Sequence, residues 1–292
     1  MNWDGLLLVN KPAGVTSHTV VQKVKERLEV SKAGHLGTLD PIATGLFPVC
    51  LGKATRLAHF YMKADKTYVT AIRFGFFTKT DDREGEQDGP STKINFTSKD
   101  LQSTIAKFVG ERNQKPPAYS AKKIKGKKAY ELARKGVDPE LPAQTVRIYE
   151  MRLLNFQDDT ALVYISCSSG TYVRSLAREL GMMLECGAHV HELERTRFGE
   201  FTLEQACSPL APIDDMKRSF TAIERMLPQF PAVVVSGDQS KRIASGSTVQ
   251  LDSGTLTGEW ARVFSDNKSL LAFAQVESDA KTFRLLPKIV FA

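Results

Sequence analysis

The sequence predicts an α+β protein that ends in a small β-barrel-like module. Up to about residue 230, strand-like apolar runs interleave with segments whose apolar residues recur at helical spacing. Beyond the proline-marked joint at Leu227–Pro231 (LPQFP), only short strand-like pieces follow, separated by glycines and polar turns. The expected division is therefore 1–230 and 231–292. With 292 residues, 42% of them apolar and 25% charged, the chain is an ordinary globular one with ample length for a core.

Gly5–Val9 reads as a buried strand that ends at Asn10-Lys11-Pro12. Thr16 or Ser17 caps a helix to about Val30, with Val20, Val21, Val24 and Leu28 on one face. Glycines at 34, 37, 45 and 52, together with Pro41, then break the chain at short intervals. The turn Leu39-Asp40-Pro41 presents a single carboxylate, and Leu46–Leu51 follows as a buried strand. Asp before Pro often only caps a turn, and for Asp40 taken alone that reading comes first.

Lys53–Met62 reads as a helix, Thr67–Phe77 as a strand and Thr78–Thr92 as an exposed acidic loop. Ser98 is expected to cap a helix through about Val109, with Leu101, Ile105 and Phe108 inward. Gln144–Phe156 and Thr160–Ser168 read as strands, Tyr172–Leu184 as a helix and Ala188–Thr196 as a strand. A helical turn at Thr202–Ala206 and a helix at Phe220–Leu227 complete the first part. The terminal strands are expected at Ala232–Val235, Thr248–Leu251, Trp260–Ser265, Leu270–Val276 and Phe283–Phe291.

The formal net charge of +7 points to a polyanionic partner. Its distribution says more, because Gln114–Gly136 holds eight basic residues against the single acid Glu131. All of the excess charge lies in that segment, which is read as part of a basic insertion over about 114–145. Within it Lys122, Lys123, Lys125, Lys127 and Lys128 form a glycine-interrupted basic loop suited to phosphates, and Ala129–Lys135 a short helix. Four dispersed cysteines give neither CxxC spacing nor a close pair, which argues against disulfides and zinc. His189 and His191 lack a third clear ligand, so no metal is expected. No apolar run reaches membrane-span length, and the start lacks a basic n-region, so a cytoplasmic chain is expected.

The stretch GHLGTLDPIATGLFPVCLGKATR (34–56) closely resembles the signature of the TruB family, the tRNA pseudouridine-55 synthases. KPAGVTSH, QKPPAYSAKKIKGKKAYELAR, GTYVRSLARELG and GAHVHELERTRFGEF extend the likeness over most of the region before the joint. The resemblance implies a mixed central sheet crossed by the active cleft, and a PUA-type RNA-binding module at the end. It implies Asp40 as the catalytic carboxylate, as nucleophile or base, with Arg174 paired to it and Tyr68 as the active-site tyrosine. His35 would enter the RNA, while Tyr172 and Leu193 would line the uracil pocket. Arg56 stands where the family often has Lys, which keeps the charge but changes the donor geometry.

The implied activity is isomerisation of the T-loop uridine of tRNA, without cofactor, metal or obligatory protein partner. A dyskerin-type, guide-dependent subunit and a tRNA chaperone using the same cleft are the alternatives. Dyskerin-type relatives usually carry extra terminal segments, whereas here the first strand is expected close to the start.

Overall fold

The computed structural model describes residues 2–120, 123, 124, 127–129, 141–251, 256, 258–278 and 282–291. The chain runs β1 (Gly5–Lys11), α1 (Ser17–Arg27), β2 (Ala33–His35), β3 (Thr44–Leu51) and β4 (Lys66–Phe74). There follow α2 (Ser98–Ala106), β5 (Gly110–Gln114), β6 (Gln144–Gln157), β7 (Thr160–Cys167), α3 (Val173–Met183), β8 (Ala188–Phe198) and β9 (Phe220–Ala222). These strands form one mixed sheet in the order β9-β1-β3-β8-β4-β7-β6-β5, with β2 beside β3. Its neighbours are antiparallel except at the centre, where β8 runs parallel to β3.

Hydrophobic pattern decides which strands are covered on both faces. In β1, Leu7 and Val9 join a core with α1 and α3, whereas Leu6 and Leu8 face a second core behind the sheet. That double burial is why the run Leu6–Val9 is continuously apolar rather than alternating. In β7 burial instead alternates, with Ala161, Val163, Ile165 and Cys167 inward and Leu162 exposed.

The second core is closed by the end of the chain. There β10 (Ala232–Val235), α4 (Gly237–Ala244), β11 (Val249–Leu251), β12 (Trp260–Ser265), β13 (Leu270–Ser278) and β14 (Phe283–Val290) build a separate sheet, ordered β10-β12-β13-β14-β11. Phe273, Ile289 and Phe291 pack with Leu6, Leu8, Leu46 and Cys50 of the large sheet.

The structure departs from the sequence expectations in several places. Phe220–Ala222 is an edge strand on β1, and only Ile223–Arg225 is helical, as a single 3-10 turn. An unpaired β1 edge offers these residues hydrogen bonds that a short isolated helix cannot match. Over Lys53–Met62 the chain forms a 3-10 segment (Gly52–Leu57) and one α-turn (Ala58–Tyr61). The cap of α2 is Thr97, in a reciprocal capping box with Asp100, rather than Ser98. The Thr78–Thr92 loop is not uniformly exposed, because Thr78, Asp81 and Asp82 are buried. Lys123–Ile124 pairs with Lys127–Lys128 as a tiny hairpin where a loop is expected. Lys122 and Lys125, and all but the first residue of the expected helix at 129–135, lie outside the described residues.

One glycine fixes the central crossing. Gly45 has φ +97°, and a Cβ there would lie 2.4 Å from the carbonyl oxygen of Arg195 on β8. Gly45→Ala is expected to destabilise the fold by more than about 2 kcal/mol, through backbone strain and steric overlap. Chemical denaturation checks it, and a variant of unchanged stability contradicts the tight crossing.

Candidate active site

The turn that carries Asp40 is held from below by the segment after β1. Lys11 is fully buried, and its Nζ donates to the carbonyls of Pro12, Pro41 and Ala43 at 2.9, 3.2 and 2.6 Å. Ser17 Oγ accepts from Leu39 N at 2.9 Å and donates to Leu39 O at 2.8 Å. The Gly14 amide donates to Pro41 O, and the Ala43 amide to Asp40 O. The backbone on both sides of Asp40 is therefore fixed while its side chain stays about one-third exposed.

Arg174, near the start of α3, meets that carboxylate. Its Nη2 donates to Asp40 Oδ1 at 3.1 Å, and its Nε lies 2.8 Å from Oδ2. The Nε–H is turned away from that oxygen, so the shorter contact is ionic and the longer one is the aligned hydrogen bond. The guanidinium also donates to Thr80 O and Tyr119 O, each at 3.0 Å, and lies 3.7 Å from Asp82 Oδ2. Arg174 is itself buried, so removing Asp40 would leave its charge in the interior without that partner.

The residues expected at the site come together around a cavity of about 400 Å³, lined among others by Asp40, Tyr68, Tyr172, Arg174, Leu193 and Arg195. Tyr68 is buried, and desolvation pushes its phenol up to about 12 against the pull of the Arg195 guanidinium. The Tyr172 phenol is also raised by burial. His35 lies on a second cavity, of about 740 Å³, that shares Asp40 and Arg174 with the first. Its ring is 5.3 Å from that of Phe47, and burial lowers its pKa.

Arg56 is placed elsewhere. It donates to the carbonyl of Val290 and lies 5.7 Å from the centre of the Phe291 ring, while Lys53 donates to Phe291 O. The side chains of Lys123, Lys127 and Lys128 are outside what the structure describes. His189 and His191 do not form a joint ligand pair: His189 is buried with Nδ1 3.4 Å from Phe76 O. Among the described residues no His, Cys, Asp or Glu cluster is arranged to hold a metal ion.

Sequence reading missed several members of this site. Asp82 lies in the loop read as exposed, where its Oδ1 accepts from Thr80 Oγ1 at 2.6 Å and Glu84 N at 3.1 Å. Gln114 ties the basic segment to α3, accepting from Tyr172 N at 2.8 Å and donating to Tyr172 O at 3.0 Å. Ser175 donates to Lys115 O at 2.9 Å. Lys66 and Arg195 line the cavity as buried cations, and only their apolar strand neighbours hinted at burial.

Comparison with known families identifies the fold. Residues 25–173 match the model of the TruB family pseudouridylate synthase N-terminal domain, and residues 174–227 match the tRNA pseudouridylate synthase B C-terminal domain. The chain belongs to the TruB family. It is similar to the tRNA pseudouridine synthase B of Solibacter usitatus, at 43% identity over 83% of this chain and 85% of that one. The enzyme of the same name from Thermotoga maritima is 37% identical over 97% of this chain and 94% of that one. Among solved structures, a chain of an H/ACA RNP bound to a substrate RNA containing 2'-deoxyuridine shares the fold. That match has a TM-score of 0.72 and 23% identity, over 99% of this chain and 86% of that one. Both TruB domain matches meet at Val173-Arg174, the point where the guanidinium enters the site.

Two expectations follow for this TruB site. Arg174→Lys replaces a fork that meets Asp40, Thr80 and Tyr119 at once by a point charge, and should lower the single-turnover rate at least about tenfold, or about 1.4 kcal/mol. An unchanged rate contradicts the pairing as a requirement for chemistry.

The second concerns Lys66, whose burial depresses its pKa from 10.5 to about 8. Below about 8 the lysine is charged in both states, and the native fold bears the full burial cost. Between about 8 and 10.5 the unfolded chain binds the proton that the native one has lost, so this contribution to stability rises with pH. Lys66→Met loses that gain. Denaturation at two pH values spanning this window should show wild type gaining on the variant by on the order of 1 kcal/mol at the higher pH, and a constant difference contradicts the shift.

Proposed function

We propose that this chain isomerises the T-loop uridine at position 55 of tRNA to pseudouridine, with Asp40 as the reacting carboxylate. The observation that carries the reading is the placement of Asp40, Arg174 and Tyr68 on one base-sized cavity within a TruB fold. The reaction breaks the bond from ribose C1' to uracil N1 and forms one to C5. The C5 proton is lost and N1 gains one, so no redox partner or transferred group is needed.

Each side chain has a place in that chemistry. Asp40 serves as nucleophile or base, and Arg174 holds it in orientation. Tyr68 offers an aromatic face to a base that has lost its stacking partners, and a phenol within reach of its polar edge. Leu193 and Tyr172 complete the wall of the base pocket. His35, on the adjoining cavity, is suited to fill the gap left by the extruded base. In this reading Arg56 acts on RNA indirectly, by holding the last strand in place.

The five insertion lysines, Lys122, Lys123, Lys125, Lys127 and Lys128, would meet phosphates, and the terminal sheet would act as a PUA-type RNA-binding module. The protein would work on the tRNA T-arm alone in the cytoplasm. Among the described residues no helix is long and apolar enough to cross a membrane.

Incubation with an unmodified tRNA transcript and mapping of pseudouridine tests the reading. Modification of the T-loop without added proteins is expected. Its absence until a guide RNA and protein partners are supplied would favour a guide-dependent subunit, and refolding without modification a chaperone. Asp40→Asn should abolish turnover while tRNA affinity stays within about tenfold, because many phosphate contacts hold the RNA. Activity near wild type rejects Asp40 as the reacting group.

Replacing the five lysines by Gln should weaken binding to any tRNA. It should also flatten log affinity against log salt, by up to about 0.7–0.9 for each phosphate that a lysine no longer neutralises. Equal salt slopes would leave the segment as solvated surface.

A further inference from the structure

Arg195 is the largest side chain among those fully buried, at 1% exposure, and it has no acidic partner within ion-pair distance among the described residues. Desolvating a guanidinium in that way is costly and calls for compensating contacts. Two are to backbone: Nε donates to Leu46 O at 2.8 Å and Nη2 to Gly37 O at 3.2 Å. Gly37 opens the turn that carries Asp40, and Leu46 lies on the strand that leaves it. The Arg195 guanidinium lies 5.4 Å from the centre of the Phe198 ring, and Arg195 also lines the base pocket.

Tyr68 lies across from Arg195 there. The two residues are direct register partners on β8 and β4, and both line the cavity that holds Asp40. We propose that Arg195 is a positioning residue for Tyr68: it donates to the phenol oxygen and leaves the phenol proton as the hydrogen that Tyr68 presents to the base. A phenol both donates and accepts, so left alone in a polar pocket it can turn either way. A fixed cation at the oxygen removes that choice, because a guanidinium can only donate. The electrostatics agree, since Arg195 draws the Tyr68 phenol down while burial, the Cys167 thiol and the Asp40 carboxylate draw it up. Lys66, beside Arg195, adds to the positive side of the pocket.

The inference rests on the reading of this cavity as the base pocket, and its test has one readout that does not depend on turnover. With 3-fluorotyrosine installed at position 68, the fluorine resonance is followed as the phenol ionises. Arg195→Met should raise the ionisation midpoint by about one pH unit or more relative to the parent. A buried arginine that served only as a strut would leave it unmoved. The second readout is a cycle of single-turnover rates on a tRNA transcript, with folding checked by circular dichroism.

Arg195→Lys should lower the rate at least tenfold when Tyr68 is present, and less than threefold in the Tyr68→Phe background, because acting through a partner makes the two losses non-additive. Unchanged midpoints overturn the proposal, and so does a full Arg195→Lys loss that persists without the phenol. If Arg195→Met does not fold, Arg195→Lys is taken through both measurements. If the wild-type protein forms no pseudouridine, the functional reading fails, while the fluorine titration still decides the role of Arg195.

Discussion

The Arg174–Asp40 contact is the constraint around which this fold is arranged. Burying a carboxylate or a guanidinium alone is costly. Together they offset one another, provided the remaining donors of the guanidinium also find acceptors. Those acceptors come from Thr80 and Tyr119, in segments remote in sequence from Asp40, with the Asp82 carboxylate close by. One side chain thus draws together the turn after β2, the acidic loop after β4 and the base of the basic segment. The start of α3 must be placed accurately for this, and Gln114 does so by bonding both the amide and the carbonyl of Tyr172.

The pocket carries a second electrostatic feature. Among the described residues its charged lining consists of Lys66, Arg174 and Arg195 against Asp40. Lys66 is satisfied by the carbonyls of Met62 and Ala64, and Lys11 below the turn is likewise held by carbonyls. Carbonyl dipoles solvate these cations without cancelling their charge. The site therefore keeps a positive interior that complements a polyanion, even apart from the basic segment.

How much of this was legible in the sequence depended on whether the cause was local. Glycine and proline spacing marked the Asp40 turn, and the apolar run Leu6–Val9 marked a strand covered on both faces, because each cause is written in a few adjacent residues. The family signature then located Asp40, Tyr68, Tyr172, Arg174 and Leu193, which the structure does bring to one cavity. Asp82 was not legible: in sequence it is one acid among several in a glycine-rich loop, and only the fold puts a buried arginine beside it. Arg195 was hidden for a similar reason, since its partners are mostly backbone carbonyls, which have no sequence signature. Phe220–Ala222 was misread because its partner strand lies at the opposite end of the large sheet's chain order, at Gly5–Leu7. The helix Gly237–Ala244 escaped because its apolar contribution is small, with Ile243 its one buried residue.

The grip of Lys53 and Arg56 on the carbonyls of Phe291 and Val290 makes the signature stretch a tie-rod between the two sheets. At one end of β3 is the turn of Asp40, and just beyond its other end is the last strand of the chain. The terminal sheet is for that reason no pendant: it roofs Leu6, Leu8, Leu46 and Cys50 on the back of the strands whose front carries Asp40. A fragment cut at the joint would wet that back surface and destabilise the large sheet. In this architecture the part that reads as an accessory is also a wall of the house.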